Sequence, residues 1–334
     1  MARRISSPEF SRNYGFWSEP EQQALMSASV AIAGVGGDGF QLGLKLARMG
    51  VSRFSIADPE VFEPENVNRV EGASTSTFGR RKAEVFRDRV LDINPDAEVE
   101  VFFDGVTPDN VEAFMRGASL VLDESELTKP EIGSLIARRA RSQGIPDLLV
   151  MNVGFAAQVT SFAPRSSWTF ERFMGFSSDA PLDEIAEAGV DLSRCLPYIP
   201  GYTDLRSLQA VMGSDDAAPA PLPSISIGVD AASAIGTAQA FLHLTAGISN
   251  RRRSPIWAPR VAYTDAYLLR TRVLRAGRAS HLRHLMFAAA RQQLGFNPRA
   301  EYTPADIARR SEECRVPGTG SRGLGFGSPE ASRP

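Results

Sequence analysis

The stretch Ser29-Val-Ala-Ile-Ala-Gly34-Val-Gly36-Gly37-Asp38-Gly39 decides how this chain is read. A short apolar run breaks into a glycine-rich turn. Such a run reads as a buried parallel strand, and the turn lets the following helix present its N-terminus to an anion. Glycine is needed there because a Cβ would block a positive φ or the close approach of a phosphate. Residues 39–49 continue as a helix, with Phe40, Leu42, Leu44, Leu46 and Met49 on more than one side, as expected for a helix wedged against a sheet. Gly50 stands at the favoured stop position. A second strand, 53–57, runs into Asp58, 19 residues beyond Gly39, an offset that suits a ribose hydroxyl. To this point the pattern is a generic nucleotide fingerprint.

The next residues are more specific: Asp58-Pro-Glu60-Val-Phe-Glu-Pro-Glu-Asn66-Val-Asn68-Arg69, with Lys82 one helix further on. This run resembles the adenylating half of ubiquitin-activating E1 enzymes and their bacterial relatives, the ThiF/MoeB/HesA superfamily. There the second strand runs into D-x-D, then N-x-x-R, then a lysine. Asp58, Asn66, Arg69 and Lys82 fall at those offsets, and Glu60 stands in place of the second Asp. Upstream, Phe10-Ser11-Arg12-Asn13 is similar to the family's Y-x-R-N/Q, and Ile93-Asn94-Pro95 and Leu120-Val-Leu-Asp123 extend the resemblance downstream. It covers roughly residues 10–250. Many relatives bind a structural zinc through two C-x-x-C pairs. Here Cys195 and Cys314 are the only cysteines, too few also for a disulfide scaffold, so no zinc is expected and the chain resembles a zinc-less branch.

The resemblance implies a doubly wound, Rossmann-like α/β fold, its sheet mainly parallel with helices on both faces. It implies ATP and Mg²⁺ as cofactors, and activation of a carboxylate as its acyl-adenylate. Gly34, Gly36, Gly37 and Gly39 would form the backbone cradle, with Asp58 on the ribose and Glu60 beside it. Asn66, Arg69 and Lys82 would meet the phosphates. Lys82 falls in the first turn of a helix expected over 79–93, where a lysine gains nothing from the helix dipole, which itself hints at a phosphate. Arg12 reads most simply as a solvated surface arginine. By resemblance it matches an arginine that reaches across a dimer interface to the nucleotide, a task suited to a bidentate guanidinium, so a homodimer is expected.

Relatives read D-x-x-D-N after the fourth strand, where this chain has Asp123-Glu-Ser-Glu126-Leu127. Glu126 thus replaces the Mg²⁺-holding Asp, and the Asn is lost. Glutamate remains a hard oxygen ligand, so Glu126 with Asp123 nearby is assigned to Mg²⁺.

The remaining pattern predicts strands at 99–103, 119–123, 148–153 and 159–162. Helices are expected at 19–27 and 130–143, with a short one starting at 107–110. Residues 163–223 are rich in proline and read as a crossover lid, with a short helix at 183–189 and a flexible part at 213–223. Cys195 lies in this lid, either as a nucleophile taking an acyl group or sulfur or as a small apolar filler; no His neighbours it. A long small-residue helix is expected over 225–248, interrupted by Asp230 and Gln239 and therefore core or interface rather than a membrane span. A strand pair at 260–263 and 267–273 and a helix at 280–294 follow. His243, His281 and His284 read as surface residues. The domain plan is an arm at 1–28, a nucleotide-binding core at 29–162, the lid at 163–223, the C-terminal part of the same domain at 224–315, and a tail at 316–334 disordered by composition.

Net charge is −2, which makes no electrostatic case for nucleic acid or an anionic membrane. The first ten residues lack an apolar signal core, so a cytoplasmic location is expected. The acceptor carboxylate would belong to a ubiquitin-like or sulfur-carrier protein, to a ribosomal peptide, or to a carbamoyl-modified tRNA nucleoside. Val106-Thr-Pro-Asp-Asn110 is similar to the dehydratase branch that acts on tRNA. Two other classes stand beside adenylation. A nicotinamide-dependent oxidoreductase is permitted by the glycine turn and Asp58, though Arg69 and Lys82 form a triphosphate clamp that a dinucleotide does not need. A catalytically inert E1-like partner is suggested by Glu60, Glu126 and the missing Asn, and opposed by the joint presence of Arg12, Asn66, Arg69 and Lys82.

Overall fold

In the computed structural model, which describes residues 8–190, 196–203, 223–248 and 253–277 with isolated positions between 282 and 293, the quoted stretch is the centre of the sheet. Strand β1 (Ser29–Ala33) lies between β2 (Arg53–Ala57) and β4 (Leu120–Asp123), parallel to both. With β3 (Glu98–Phe102) beyond β2 and β5 (Asp147–Val153) beyond β4, five parallel strands form the doubly wound half. The chain then changes direction. Strands β6 (Ala156–Phe162), β7 (Arg260–Asp265) and β8 (Arg270–Arg275) add on antiparallel, giving the order β3-β2-β1-β4-β5-β6-β7-β8. Gly154, at φ +61, allows the tight β5–β6 reversal.

Helices cover both faces. Helix α1 (Glu19–Ser27) opens with a capping box in which Ser18 and Glu21 satisfy each other's backbone N–H groups. Helices α2 (Gly37–Met49), α3 (Lys82–Ile93) and α8 (Ser226–Leu244) pack on one face, where Ile32, Phe40, Leu42, Phe86, Val150 and Ala232 share a buried cluster. Helices α4 (Val111–Phe114) and α5 (Pro130–Gln143) cover the other, around Phe114, Val121 and Ile136. Helices α6 (Phe170–Met174) and α7 (Leu182–Ala188) lie against α5.

Several expectations shift for identifiable reasons. The helix expected from 79 starts at Lys82, because Gly79 takes φ +78 and ends a turn instead. Residues 107–110 form a turn rather than a helix start: Asn110 accepts from the Thr107 N–H and Thr107 from the Asn110 N–H, and α4 begins after them. The long helix stops at Leu244, where the Thr245 hydroxyl turns back onto the Phe241 carbonyl. Within the expected lid at 163–223, the short helix forecast at 183–189 is present as α7, and residues 163–190 and 196–203 pack against the sheet. Phe170, Phe173, Met174, Leu196 and Ile199 form a buried cluster with β5 and β6, and α6 had no sequence forecast. Glu171 anchors this region, fully buried and salt-bridged to Arg138 at 2.9 Å and Arg141 at 3.1 Å. His243 is not a surface residue: its Nε2 lies 2.7 Å from the Ser161 hydroxyl and its ring packs edge-on to Trp257. Burial lowers its pKa to about 4. Cys195, His281, His284, most of 213–223 and of 280–294, and the tail lie outside the described residues. No helix among the described residues is long and apolar enough to cross a membrane.

Candidate functional site

The glycine turn is built at the carboxyl ends of the parallel strands, where open α/β sheets bind ligands. Its four glycines have different tasks. At Gly34, φ is +96 and a Cβ would overlap the Glu124 carbonyl; at Gly39 a Cβ would overlap the Gly34 carbonyl. These two let the turn close against the end of β4. Gly37 presses on Val229 of α8, where a Cβ would sit 2.9 Å from a side-chain methyl. Only at Gly36, the N-cap of α2, does the missing Cβ leave open space. That space lies at the N-terminus of a thirteen-residue helix with no side-chain cap, a cradle that suits a phosphate.

Asp58, buried at the end of β2, ties this turn down. Its Oδ2 accepts the Val35 N–H at 2.8 Å and its Oδ1 the Glu60 N–H at 2.8 Å. Burial raises its pKa, opposed by these two bonds and by the charge of Lys82. Lys82 is itself buried at the first position of α3 and forms an ion pair with Glu60, whose side chain is largely exposed. Asp58, Glu60 and Lys82 therefore make one cluster on the β2 side of the turn.

On the other side lies a cavity of about 600 Å³. Gly36, Gly37, Asp38, Gly39 and Arg69 form one wall, and Glu124 to Leu127 another. Strand β5, the β5–β6 turn and residues on either side of 204–222, among them Leu196, Tyr202, Thr203, Ser224 and Ile225, close it. The structure thus brings Gly36, Gly37, Gly39, Arg69 and Glu126 to one space. Arg69 holds its guanidinium on the Glu65 carbonyl at 3.1 Å and the Asn68 side chain at 2.9 Å. Glu126 lines the cavity with its carboxylate toward Thr128 and Lys129. Burial pushes its pKa up, but those hydrogen bonds and the Lys129 charge outweigh this and hold it below the usual range.

Other candidates sit elsewhere. Asn66 is buried and its Oδ1 accepts the Glu63 N–H at 3.0 Å, capping the short 3₁₀ helix Pro64–Asn68. Asp123 is buried behind the cavity wall, one oxygen bound to the Ser125 N–H and hydroxyl, the other without a partner. Arg12 is exposed in the turn after the first 3₁₀ helix, Pro8–Phe10. Among the described residues no group of three His, Cys, Asp or Glu side chains is arranged to hold a metal.

Sequence reasoning passed over Asp38, Glu124 and Asn152. Asp38 follows two glycines where its carboxylate faces Asn152, whose amide donates to it at 2.8 Å. Ser224 in turn donates to Asn152 at 2.9 Å, and Asn68 to the Ser224 carbonyl at 2.9 Å. This chain of bonds joins the glycine turn to the start of α8. Burial pushes the Asp38 pKa up to about 7, against the Asn152 bond and the charge of Arg69. Glu124 is raised well above the carboxylate range by burial and by the charges of Asp38, Asp123 and Asp147. The one available sequence signal was a charged residue inside the glycine turn.

A doubly wound sheet, a glycine turn feeding a helix N-terminus, and a charged cavity at the strand ends make up an E1-like, Rossmann-type fold. The ThiF family profile matches residues 10–282, and the chain belongs to the ThiF family. Among curated relatives, it is 40% identical over 109 residues to the vegetative HesA protein of Trichormus variabilis, covering 33% of this chain and 41% of that protein. It is 35% identical over 144 residues to the tRNA threonylcarbamoyladenosine dehydratase of Escherichia coli, covering 43% and 52%. These matches span about half the length of the relatives. Escherichia coli MccB solved with ATP superposes with a TM-score of 0.59 at 15% identity, covering 82% of this chain and 73% of that one. PaaA gives 0.57 at 16% identity, covering 83% and 76%. Both structural likenesses speak to the fold.

Proposed function

We propose that this chain adenylates a carboxylate with ATP, releasing pyrophosphate. The observation that carries the proposal is the shared cavity wall: the open cradle at Gly36 and the Arg69 side chain face the same space as residues flanking the crossover. A triphosphate and an acceptor tail can therefore meet there. A carboxylate is a poor target for nucleophiles, and adenylation supplies its leaving group. The acceptor oxygen attacks the α-phosphorus as the bond to the pyrophosphate oxygen breaks, so the site must align the two and neutralise charge. The N-terminal amides of α2 and Arg69 hold phosphate oxygens. Lys82 joins them by exchanging Glu60 for phosphate, and Asp58, already fixed by two amides, directs its remaining lone pairs to the ribose. Mg²⁺ takes few protein carboxylates and keeps water and phosphate oxygens around it. Glu126 on the cavity wall fits that role better than the buried Asp123, and the ion would screen the triphosphate. Arg12 completes the site from the second subunit of a homodimer.

The acceptor is the C-terminus of a small carrier protein or of a peptide. This is supported by the named relative that adenylates the sulfur carrier ThiS, 28% identical over 145 residues, and by MccB, solved with the peptide MccA. A tRNA nucleoside is the second reading, favoured by the dehydratase match at 35% identity. Cys195 acts, if at all, after adenylation, so Cys195→Ser should leave exchange intact.

Mg-ATP is expected to raise the unfolding temperature, and Arg69→Ala and Lys82→Ala each to abolish ATP–pyrophosphate exchange in a folded protein. Losing such a charged donor costs about 3–4 kcal/mol of transition-state stabilisation, by analogy with oxyanion-hole deletions. Wild-type exchange in both variants would show the assignment to be wrong.

A further inference from the structure

The antiparallel end of the sheet carries a surface with no part in the proposed chemistry. The β7–β8 turn stands beside the β5–β6 turn, where the Ala266 N–H donates to the Phe155 carbonyl at 3.1 Å. Phe155 and Tyr202 line the cavity, and the ring of Tyr267 packs on both, at 5.3 and 5.5 Å between centroids, while staying 64% exposed. Leu269 is 90% exposed at φ +50, a left-handed backbone that a leucine rarely adopts. From there β8 runs away from the cavity with Arg270 and Arg272 exposed. Their cross-strand partners are Asp265 and Tyr263, so both arginines share the face on which Tyr198 and Tyr202 pack. Among the described residues neither guanidinium has a hydrogen-bond or ion-pair partner. The acid across from them does not serve: Asp265 is buried, its oxygens taken by the Tyr202 and Tyr263 hydroxyls and the Leu268 N–H. Between 251 and 277 the sequence holds seven arginines against this one acid, although the whole chain carries a net charge of −2. Arginine on an edge strand also discourages pairing between copies, but that task needs no aromatic track leading to a cavity. Tyrosine and arginine together are the composition of interface centres.

We propose that Tyr267, Arg270 and Arg272 form a docking surface for an acidic peptide segment of the acceptor, upstream of its reacting carboxylate. Placing that carboxylate in the cavity rests on the adenylation reading. The acceptor chain leaves the cavity over Phe155 and Tyr202, crosses the exposed ring of Tyr267, and sets Asp or Glu side chains on the two guanidinium groups. Arginines two positions apart on a strand match carboxylates two positions apart on an extended peptide, and each can be held by paired N–H donors. From β5 to β8 is three strand spacings, about 14 Å, or roughly four to five extended residues, so the two acids stand about five and seven positions from the C-terminus. The surface thereby selects among carboxylates: a tail without those acids reaches the cavity but gains nothing on β8. Complementary charge of this kind speeds encounter and sets specificity more than it adds affinity.

The test titrates the full chain, without nucleotide and at low salt, against three fluorescein-labelled peptides read by anisotropy. The first is Ser-Ala-Glu-Ala-Glu-Ala-Thr-Gly-Gly, and the others carry Gln or Lys in place of both Glu. Wild-type protein should bind the Glu peptide about fivefold or more tightly than the Gln peptide, as two charge pairs allow, and the gap should close as salt is raised. The double variant Arg270→Glu, Arg272→Glu should reverse the order and prefer the Lys peptide, whereas Tyr267→Ala should weaken all three alike. No difference between the Glu and Gln peptides on the wild type overturns the proposal, and that comparison needs no variant to fold. So does a preference for Glu that survives in the folded double variant. A short RNA hairpin that binds more tightly than the Glu peptide, and is lost in the double variant, also overturns it and assigns the surface to nucleic acid. Mg-ATP binding is read in a separate titration, so failure of the adenylation reading and failure of the docking surface give different results.

Discussion

At the residue scale the most informative side chain is Asp38, because its environment sets its charge. Its ordinary pKa of 3.8 rises to about 7 on burial. Between those values the native state holds a proton that the unfolded state has released, so stability should fall as pH rises through that window and level off above it. Three pKa units correspond to at most about 4 kcal/mol. The groups that bear on Asp38 are Arg69 from the 3₁₀ segment, Glu124 from the end of β4 and Asn152 from β5. Asp38→Asn keeps an oxygen for the Asn152 amide and removes the titration. Thermal unfolding from pH 4.5 to 8 should therefore be flatter in the variant, with a higher midpoint than wild type at pH 8. An unchanged slope would show that Asp38 does not carry this dependence.

At the scale of the element, the turn from β1 into α2 depends on glycine for two separable reasons. Gly39 has no room for a Cβ against the Gly34 carbonyl, and a backbone oxygen cannot move aside as a side chain can. Gly39→Ala should destabilise by about 3 kcal/mol or more, through overpacking. At Gly36, φ is −72 and nothing lies within 4 Å of the added carbon. Gly36→Ala should leave the denaturation midpoint close to wild type and still weaken ATP binding, since the methyl enters the proposed phosphate cradle. Chemical denaturation paired with nucleotide titration separates the two. The contrary pattern, a folded Gly39→Ala protein and an unfolded Gly36→Ala one, would refute this division of labour. The sequence showed four glycines alike; their neighbours Glu124, Val229 and Gly34 make them different.

At the scale of the whole molecule, the proposed site draws Lys82 and Arg69 from one subunit and Arg12 from the other. Arg12→Ala and Lys82→Ala homodimers should both be inactive in pyrophosphate exchange. Mixed and allowed to exchange subunits, they should recover about a quarter of wild-type activity, because half of the dimers are mixed and each has one intact site of two. No recovery alongside demonstrated subunit exchange would place Arg12 in its own subunit's site or outside the site altogether. Light scattering at micromolar concentration tests the dimer itself.

The sequence by itself determined the parallel half of this protein. Strands β1 and β2 and helices α1 and α5 were legible because run length, caps and turn glycines act over a few residues, whereas Asn66, Arg69 and Lys82 stood out only through the family resemblance. The tertiary structure decided the rest. It turned β6 to β8 antiparallel, added α6 where the sequence had no helix forecast, and gave Asn66 a capping task. It also set Asp38, a plain acidic residue in the sequence, into a buried wall by the Asn152 amide, 114 positions away. Local propensity reports backbone conformation, whereas charge state and cavity shape come from desolvation by residues brought together only when the sheet closes.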